Sequence, residues 1–259
     1  MKLLLYFSFF ILLTSCGMSK NKYSDNELAQ ILKNKYNKDF IIEENYFHFQ
    51  LNHHKFVAIL KETKEVKVFG SYKDNTSDIR DNYPQMLNNY QAKEWINELL
   101  NPYYDKFAVR VNVLADVQEM THGEIISFKD IISSKDTDAL VFYHIYLFDT
   151  INEENKSYLK GIVDISNFFK ENFFGKYTFN VFFWSNEILK GKKFDQMKFG
   201  FNYHREDYDD NLEAKNQLLK QELVFEFDTH KKPEITIDKL YTYIKPYNEG
   251  PNIGPAILE

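Results

Sequence analysis

The sequence predicts an α+β fold in which helices cover one face of antiparallel sheets, and three observations carry that prediction. Apolar residues at helical spacing recur in three separate segments, and between them lie short runs in which apolar residues alternate. The third observation is composition: 259 residues with 44% hydrophobic and 27% charged side chains supply the material of a packed core. The same counts exclude other classes. A single cysteine forms no intramolecular disulfide, and 6 prolines sustain no proline-rich helix. The formal net charge is −6, and Arg80, Arg110 and Arg205 are the only arginines, so no basic stripe marks a nucleic-acid partner. Aromatic residues reach 17% of the chain; Lys, Asn, Ile, Phe and Tyr rise together, which is the signature of an AT-rich coding sequence.

The first folded element starts behind Tyr23. Ser24 and Glu27 stand three residues apart as a capping box, with Tyr23 and Leu28 at the positions of a hydrophobic staple. Leu28, Ile31, Leu32 and Tyr36 then mark one buried helix face. Three strands follow at 46–51, 56–60 and 66–72, the first with Phe47, Phe49 and Leu51 on one face, as an antiparallel meander. Residues 73–82 read as a polar loop, and Pro84 suits the first turn of a second helix lined by Ala92, Trp95, Ile96 and Leu99. Phe107, Val109, Val111 and Val113 alternate with polar or small residues as a half-buried strand. The first module is therefore expected over 24–117 in the order α-β-β-β-α-β, with the shape of cystatin-like binding modules, a likeness of shape that warrants no function.

A second α+β module is expected over 118–244. Residues 139–148 form a nearly unbroken apolar run, which suggests a strand buried on both faces. A helix over about 153–174 presents Tyr158, Ile162, Ile165 and Phe169, with Gly175 placed to end it. Tyr177, Phe179, Val181 and Phe183 line the next strand, Met197, Phe199, Phe201 and Tyr203 another, and Leu223, Phe225 and Phe227 the last. Half of the prolines fall in 245–259, which is expected to be an extended, flexible tail.

The chain begins with Met1 and Lys2, an apolar run over 3–13, and then Leu13-Thr14-Ser15-Cys16-Gly17. These are the basic, hydrophobic and small-residue regions of an export signal, and the run is too short for a spanning helix of about 20 residues. Leu13-Thr14-Ser15-Cys16 resembles the lipobox of bacterial lipoproteins, with the only cysteine of the chain at the position where that class needs a thiol. The resemblance covers the first 16 to 17 residues. It implies that residues 1–15 are removed as a signal peptide, that Cys16 carries diacylglycerol and a further acyl chain such as palmitate, and that 16–23 form a lipidated tether. It also implies an outer-membrane address facing the periplasm of a Gram-negative bacterium, because Gly17 stands where Asp would retain the protein at the inner membrane.

The sequence carries no Gly-x-Ser-x-Gly elbow, zinc-binding His-Glu-x-x-His, phosphate-binding glycine loop or dinucleotide fingerprint, and it implies no cofactor and no metal. His48, His53 and His54 fall close enough around a hairpin for a small imidazole cluster, although an exposed polar face and turn is the simpler account of them. The acidic run over 206–213 lacks the glycine and terminal glutamate of a calcium loop. Strand residues Phe182 and Trp184 oppose Phe179, Val181 and Phe183, so both strand faces are bulky. Either helices cover both faces, or one face is an aromatic platform for a partner. The expected function is a lipid-anchored envelope protein that binds a protein partner and catalyses nothing. An immunity lipoprotein that neutralises a periplasmic toxin is the narrower alternative, and an envelope hydrolase the rival.

Overall fold

The computed structural model describes residues 21–74, 77–115, 125–135, 139–185, 219–247 and 255–258. Cys16, His122, His204, the expected strand around Met197 to Tyr203 and the acidic run over 206–213 lie outside the described residues. The fold is α+β, and the chain divides into two compact units, one ending at Met86 and the other beginning at Leu87.

In the first unit, helix α1 (Asp25–Tyr36) opens on the expected capping box: the Ser24 amide donates to Glu27 Oε2 at 2.7 Å and the Glu27 amide to Ser24 Oγ at 3.3 Å. Asn37 closes the helix in the left-handed region at φ 53°, and its amide donates to the Lys33 carbonyl. The sheet runs β1 (Phe40–His48), β2 (His53–Leu60), β3 (Lys67–Tyr72) and β4 (Ile79–Asp81) in that spatial order, all antiparallel. Strand β1 starts earlier than the sequence pattern suggests. A bulge between Ile42 and Glu44 shifts the register by one residue, so the alternation that identifies a strand is broken at Glu43. Residues Phe49–Leu51 form a 3-10 turn instead of continuing the strand, and Phe49 is 79% exposed where a buried strand face was expected.

Two contacts hold this sheet together. Across β2 and β3, Phe56 faces Gly70, and its ring fills the space a side chain would take: a Cβ on Gly70 would lie 2.1 Å from Phe56 Cζ. At β4, the fully buried carboxylate of Asp81 accepts from Lys35 Nζ at 2.8 Å, the Tyr36 hydroxyl at 2.7 Å and the Tyr83 amide at 3.1 Å. One side chain thus joins the last turn of α1 to β4 and to the start of helix α2 (Tyr83–Leu100). Burial and the neighbouring Asp81 push the Tyr36 phenol far up, so it remains a donor to that carboxylate.

The second unit is built on a sheet in the order β10-β8-β7-β6-β5, where β5 is Phe107–Leu114, β6 Leu140–Leu147, β7 Lys176–Trp184, β8 Leu219–Asp228 and β10 Ala256–Leu258; β9 (Lys245–Pro246) also pairs with β8. Strand β5, read from sequence as the end of the first module, pairs antiparallel with β6 and so belongs to this sheet. Its inward residues Val109, Val111 and Val113 join a core with Ala92, Ile96 and Leu100 of α2. To the same core come Phe128, Ile131 and Ile132 of α3 (Phe128–Ser133), Ile162, Ile165 and Phe169 of α4 (Lys160–Asn172), and Leu240 of α5 (Ile237–Tyr241).

The sheet is mixed, where antiparallel pairing was expected: β6 and β7 run parallel, and so do β8 and β10. Parallel neighbours need a crossover, and the 3-10 turn Lys156–Leu159 with α4 supplies it between β6 and β7. Gly175 sits at the return with φ 119°, where a Cβ would lie 2.6 Å from the Ala139 carbonyl oxygen, so only glycine fits. Strand β6 is buried on one face only: Val141, Tyr143, Ile145 and Leu147 are inside, while Leu140, Phe142, His144 and Tyr146 are half-buried. At the chain's end, Ala256–Leu258 add a strand along Phe225–Phe227, and Leu258 is 1% exposed, in place of the wholly flexible tail expected there.

Candidate functional site

The three histidines of the first unit do not converge. His48 and His53 face each other across the β1–β2 hairpin, ring centroids 6.3 Å apart and stacked, and His53 Nδ1 lies 3.1 Å from the Leu51 carbonyl. His54, one residue on, points to the opposite side of the pleat and is fully buried. Its Nε2 lies 2.8 Å from Asp74 Oδ1 and its Nδ1 3.1 Å from Asn21 Oδ1. The ring stacks on Tyr72 at 4.7 Å and receives the edge of Phe47 at 5.0 Å. Asn21 Nδ2 donates to the Asn45 carbonyl at 2.8 Å, and the Tyr72 hydroxyl donates to Asn45 Oδ1 at 2.9 Å. His54 therefore fastens the segment preceding α1 to the loop after β3. Among the described residues, no three His, Cys, Asp or Glu side chains are grouped to hold a metal ion.

The second unit offers a different surface. Its sheet gives one face to the core, and the other carries Phe142, His144 and Tyr146 of β6, Asn180 and Phe182 of β7, and Glu222 and Glu226 of β8, all half-buried. Phe182 lies at the centre of this row, stacked on Tyr146 at 5.2 Å and on His144 at 6.2 Å. Burial, with Arg110 opposite it on β5, lowers the His144 imidazole to about 4, so the ring is neutral at physiological pH. The face thus presents flat, uncharged rings at its middle and charged groups toward both sides.

Trp184, paired with Phe182 in the sequence reading of an aromatic platform, is 2% exposed and packs with Phe148 and Leu219, against which Phe182, Tyr146 and Tyr247 lie. The bulge here lies on β8, where Lys220 is passed over between Gln221 and Leu219, so Trp184 keeps the alternation of β7 and shares the face of Phe182, covered by Phe148 and Leu219. Its indole N–H is buried, and no described residue accepts from it. The sequence reading missed His144 and Tyr146 as neighbours of Phe182, because the parallel register that sets His144 beside Asn180 and Tyr146 beside Phe182 has no local signature.

Among the described residues no helix is long and apolar enough to cross a membrane. No protein-family model, curated protein or solved structure matches the chain.

Proposed function

We propose that this protein is a lipid-anchored cell-envelope protein that acts as a binding module. Cys16 carries the acyl chains, and the outward face of the second sheet engages a protein partner through Phe182 and the rings beside it. The observation that carries the reading is the stacked row His144, Phe182 and Tyr146 on the sheet face turned away from the core. Aromatic rings bring large contact area at low conformational cost and favour interface centres. The lipobox supports the anchor, and two or three acyl chains on one residue suffice to hold a protein at a bilayer. On this reading the anchor faces the periplasm from the outer membrane, and a toxin that enters that compartment is one partner of the right kind.

The test has two arms. Cys16→Ala should abolish palmitate incorporation and leave the unprocessed precursor; normal processing and membrane retention would remove the anchor. A photo-crosslinking residue at position 182 should give a discrete adduct in intact cells, and one at the exposed Glu171 of α4 should not. Equal labelling at both positions, or none at either, would remove the binding face. Should the adduct be a toxin encoded beside this gene, loss of the protein should sensitise cells to it.

A further inference from the structure

We infer that the tip of the β1–β2 hairpin is a second membrane contact, with Phe49 and Leu51 seated in the lipid interface; the inference rests on the proposed anchor at Cys16. Between Glu44 and Lys55 the chain reads Asn-Tyr-Phe-His-Phe-Gln-Leu-Asn-His-His, ten residues without Asp, Glu, Lys or Arg. Within it Phe49 is 79% exposed, Leu51 51% and Tyr46 45%. A single exposed apolar residue needs no explanation, but three large ones grouped at an uncharged turn mark a contact surface.

The start of the described chain shows what that surface meets. Asn21 is held by the Asn45 carbonyl and the His54 ring, on the two strands of this same hairpin. From His54 to Leu51 is three residues, or about 10 Å of strand, and from Asn45 to Phe49 about 13 Å. From Asn21 back to Cys16 is five residues, which span at most about 17 Å even fully extended. An acylated Cys16 therefore places the lipid surface within a short reach of the hairpin, and the hairpin end of the sheet is the end nearest the anchor. The opposite end, at the β2–β3 turn with Lys61, Glu62, Lys64 and Glu65, is charged and exposed.

The tip is also held rigidly enough to be presented. Phe49 meets Phe47 edge-on at 5.1 Å, Phe47 meets His54 at 5.0 Å, and His54 stacks on Tyr72 at 4.7 Å, so a continuous series of rings joins the tip to the core. Asn52 turns the chain in the left-handed region, and its amide donates to the Phe49 carbonyl at 3.3 Å. Phe and Leu side chains with a Tyr above them, and Gln, Asn and His between, match the mixed polarity of the headgroup boundary, where apolar faces seat about 5–10 Å deep.

The test uses the processed, full-length protein purified from a Gram-negative host and reconstituted in vesicles of phosphatidylethanolamine and phosphatidylglycerol. With Cys16 acylated, Gln50→Cys provides the only free thiol for an environment-sensitive fluorophore, and Lys64→Cys, made in the parent chain, labels the β2–β3 turn as the aqueous reference. The label at 50 should emit several-fold more strongly, with a blue shift and protection from a water-soluble quencher, while that at 64 behaves as in buffer. Adding Phe49→Ser and Leu51→Ser should return the label at 50 to the aqueous signal, and both side chains are exposed, so the fold does not depend on them. The mass of the N-terminal peptide separates the two readings. Lipid on Cys16 with an aqueous label at 50 overturns the hairpin contact and leaves the anchor; no lipid on Cys16 overturns both. An apolar signal at 50 that arises without vesicles and grows with protein concentration identifies a second copy as the occupant and overturns the lipid contact.

Discussion

Acid should weaken this fold through His144, and the size of the effect follows from its place in the sheet. The ring lies on β6 between Arg110 of β5 and Asn180 of β7, stacked on Phe182, and its pKa is lowered from 6.5 to about 4, first by burial and then by Arg110. The unfolded chain keeps the ordinary value, so between the two values the unfolded state binds more protons. The contribution of a neutral His144 is complete above about pH 6.5 and is lost as pH falls toward 4. A full gap of about 2.5 units corresponds to roughly 3.4 kcal/mol, of which about 2 kcal/mol would be felt between pH 7 and pH 5. Solvent reaching the half-buried ring reduces that to about 1 kcal/mol or slightly more. In urea the midpoint should fall by about 0.5 M over that range. Carboxylates add their own slope, so the comparison is with His144→Gln, which keeps a polar side chain of similar length and cannot charge. The difference between the two proteins should shrink steadily from pH 7 to pH 5. Parallel curves over that range would refute the assignment of a neutral, desolvated ring.

Asp81→Ala should cost about 2–3 kcal/mol, because it removes an acceptor shared by three donors, one of them the buried Tyr83 amide; Asp39→Ala, which breaks only an exposed pair with Lys33, should change the urea midpoint little. Gly175→Ala combines φ 119° with a backbone clash at Ala139 and should cost about 2–4 kcal/mol; a midpoint equal to that of the parent would show that the β7 return differs from the one described. Leu258→Ala should cost about 2 kcal/mol and raise amide exchange along Phe225–Phe227, and unchanged exchange there would mean that β10 is not docked.

Local chemistry was legible in the sequence where a single element decides it. The capping box at Ser24 and Glu27, the inward faces of β5, β7 and β8, and the glycine at 175 all follow from residues within a few positions of one another. What escaped depends on pairing. Ile79–Asp81 is a strand because β3 lies beside it, although only Ile79 is apolar. Strand β5 was assigned to the wrong sheet because a strand's own pattern does not name its neighbour. A signal for the parallel β6–β7 pair was present: two apolar strands separated by an amphipathic helix are the components of a β-α-β crossover. For the binding face, Phe182 was legible as a bulky outward residue, and its stacking on His144 and Tyr146 was not, since that depends on the register of a parallel partner.

Phe56 and Gly70 carry a consequence for how this sequence can drift. The ring occupies the volume of the missing side chain, and the Arg80 carbonyl oxygen closes the other side at 2.8 Å from where a Cβ would stand. A methyl group at 70 therefore requires a descendant whose residue 56 has already shrunk, and even there the Arg80 carbonyl of β4 must move back by a few tenths of an ångström. Shrinking Phe56 first leaves a void costing about 1–3 kcal/mol, whereas enlarging Gly70 first forces the ring and strand β4 apart. The two positions form one inherited unit whose changes are ordered as well as coupled. Lineages that fill position 70 should carry Leu, Val or a smaller residue at 56, and a double-mutant cycle on the pair should depart from additivity in the direction of mutual rescue.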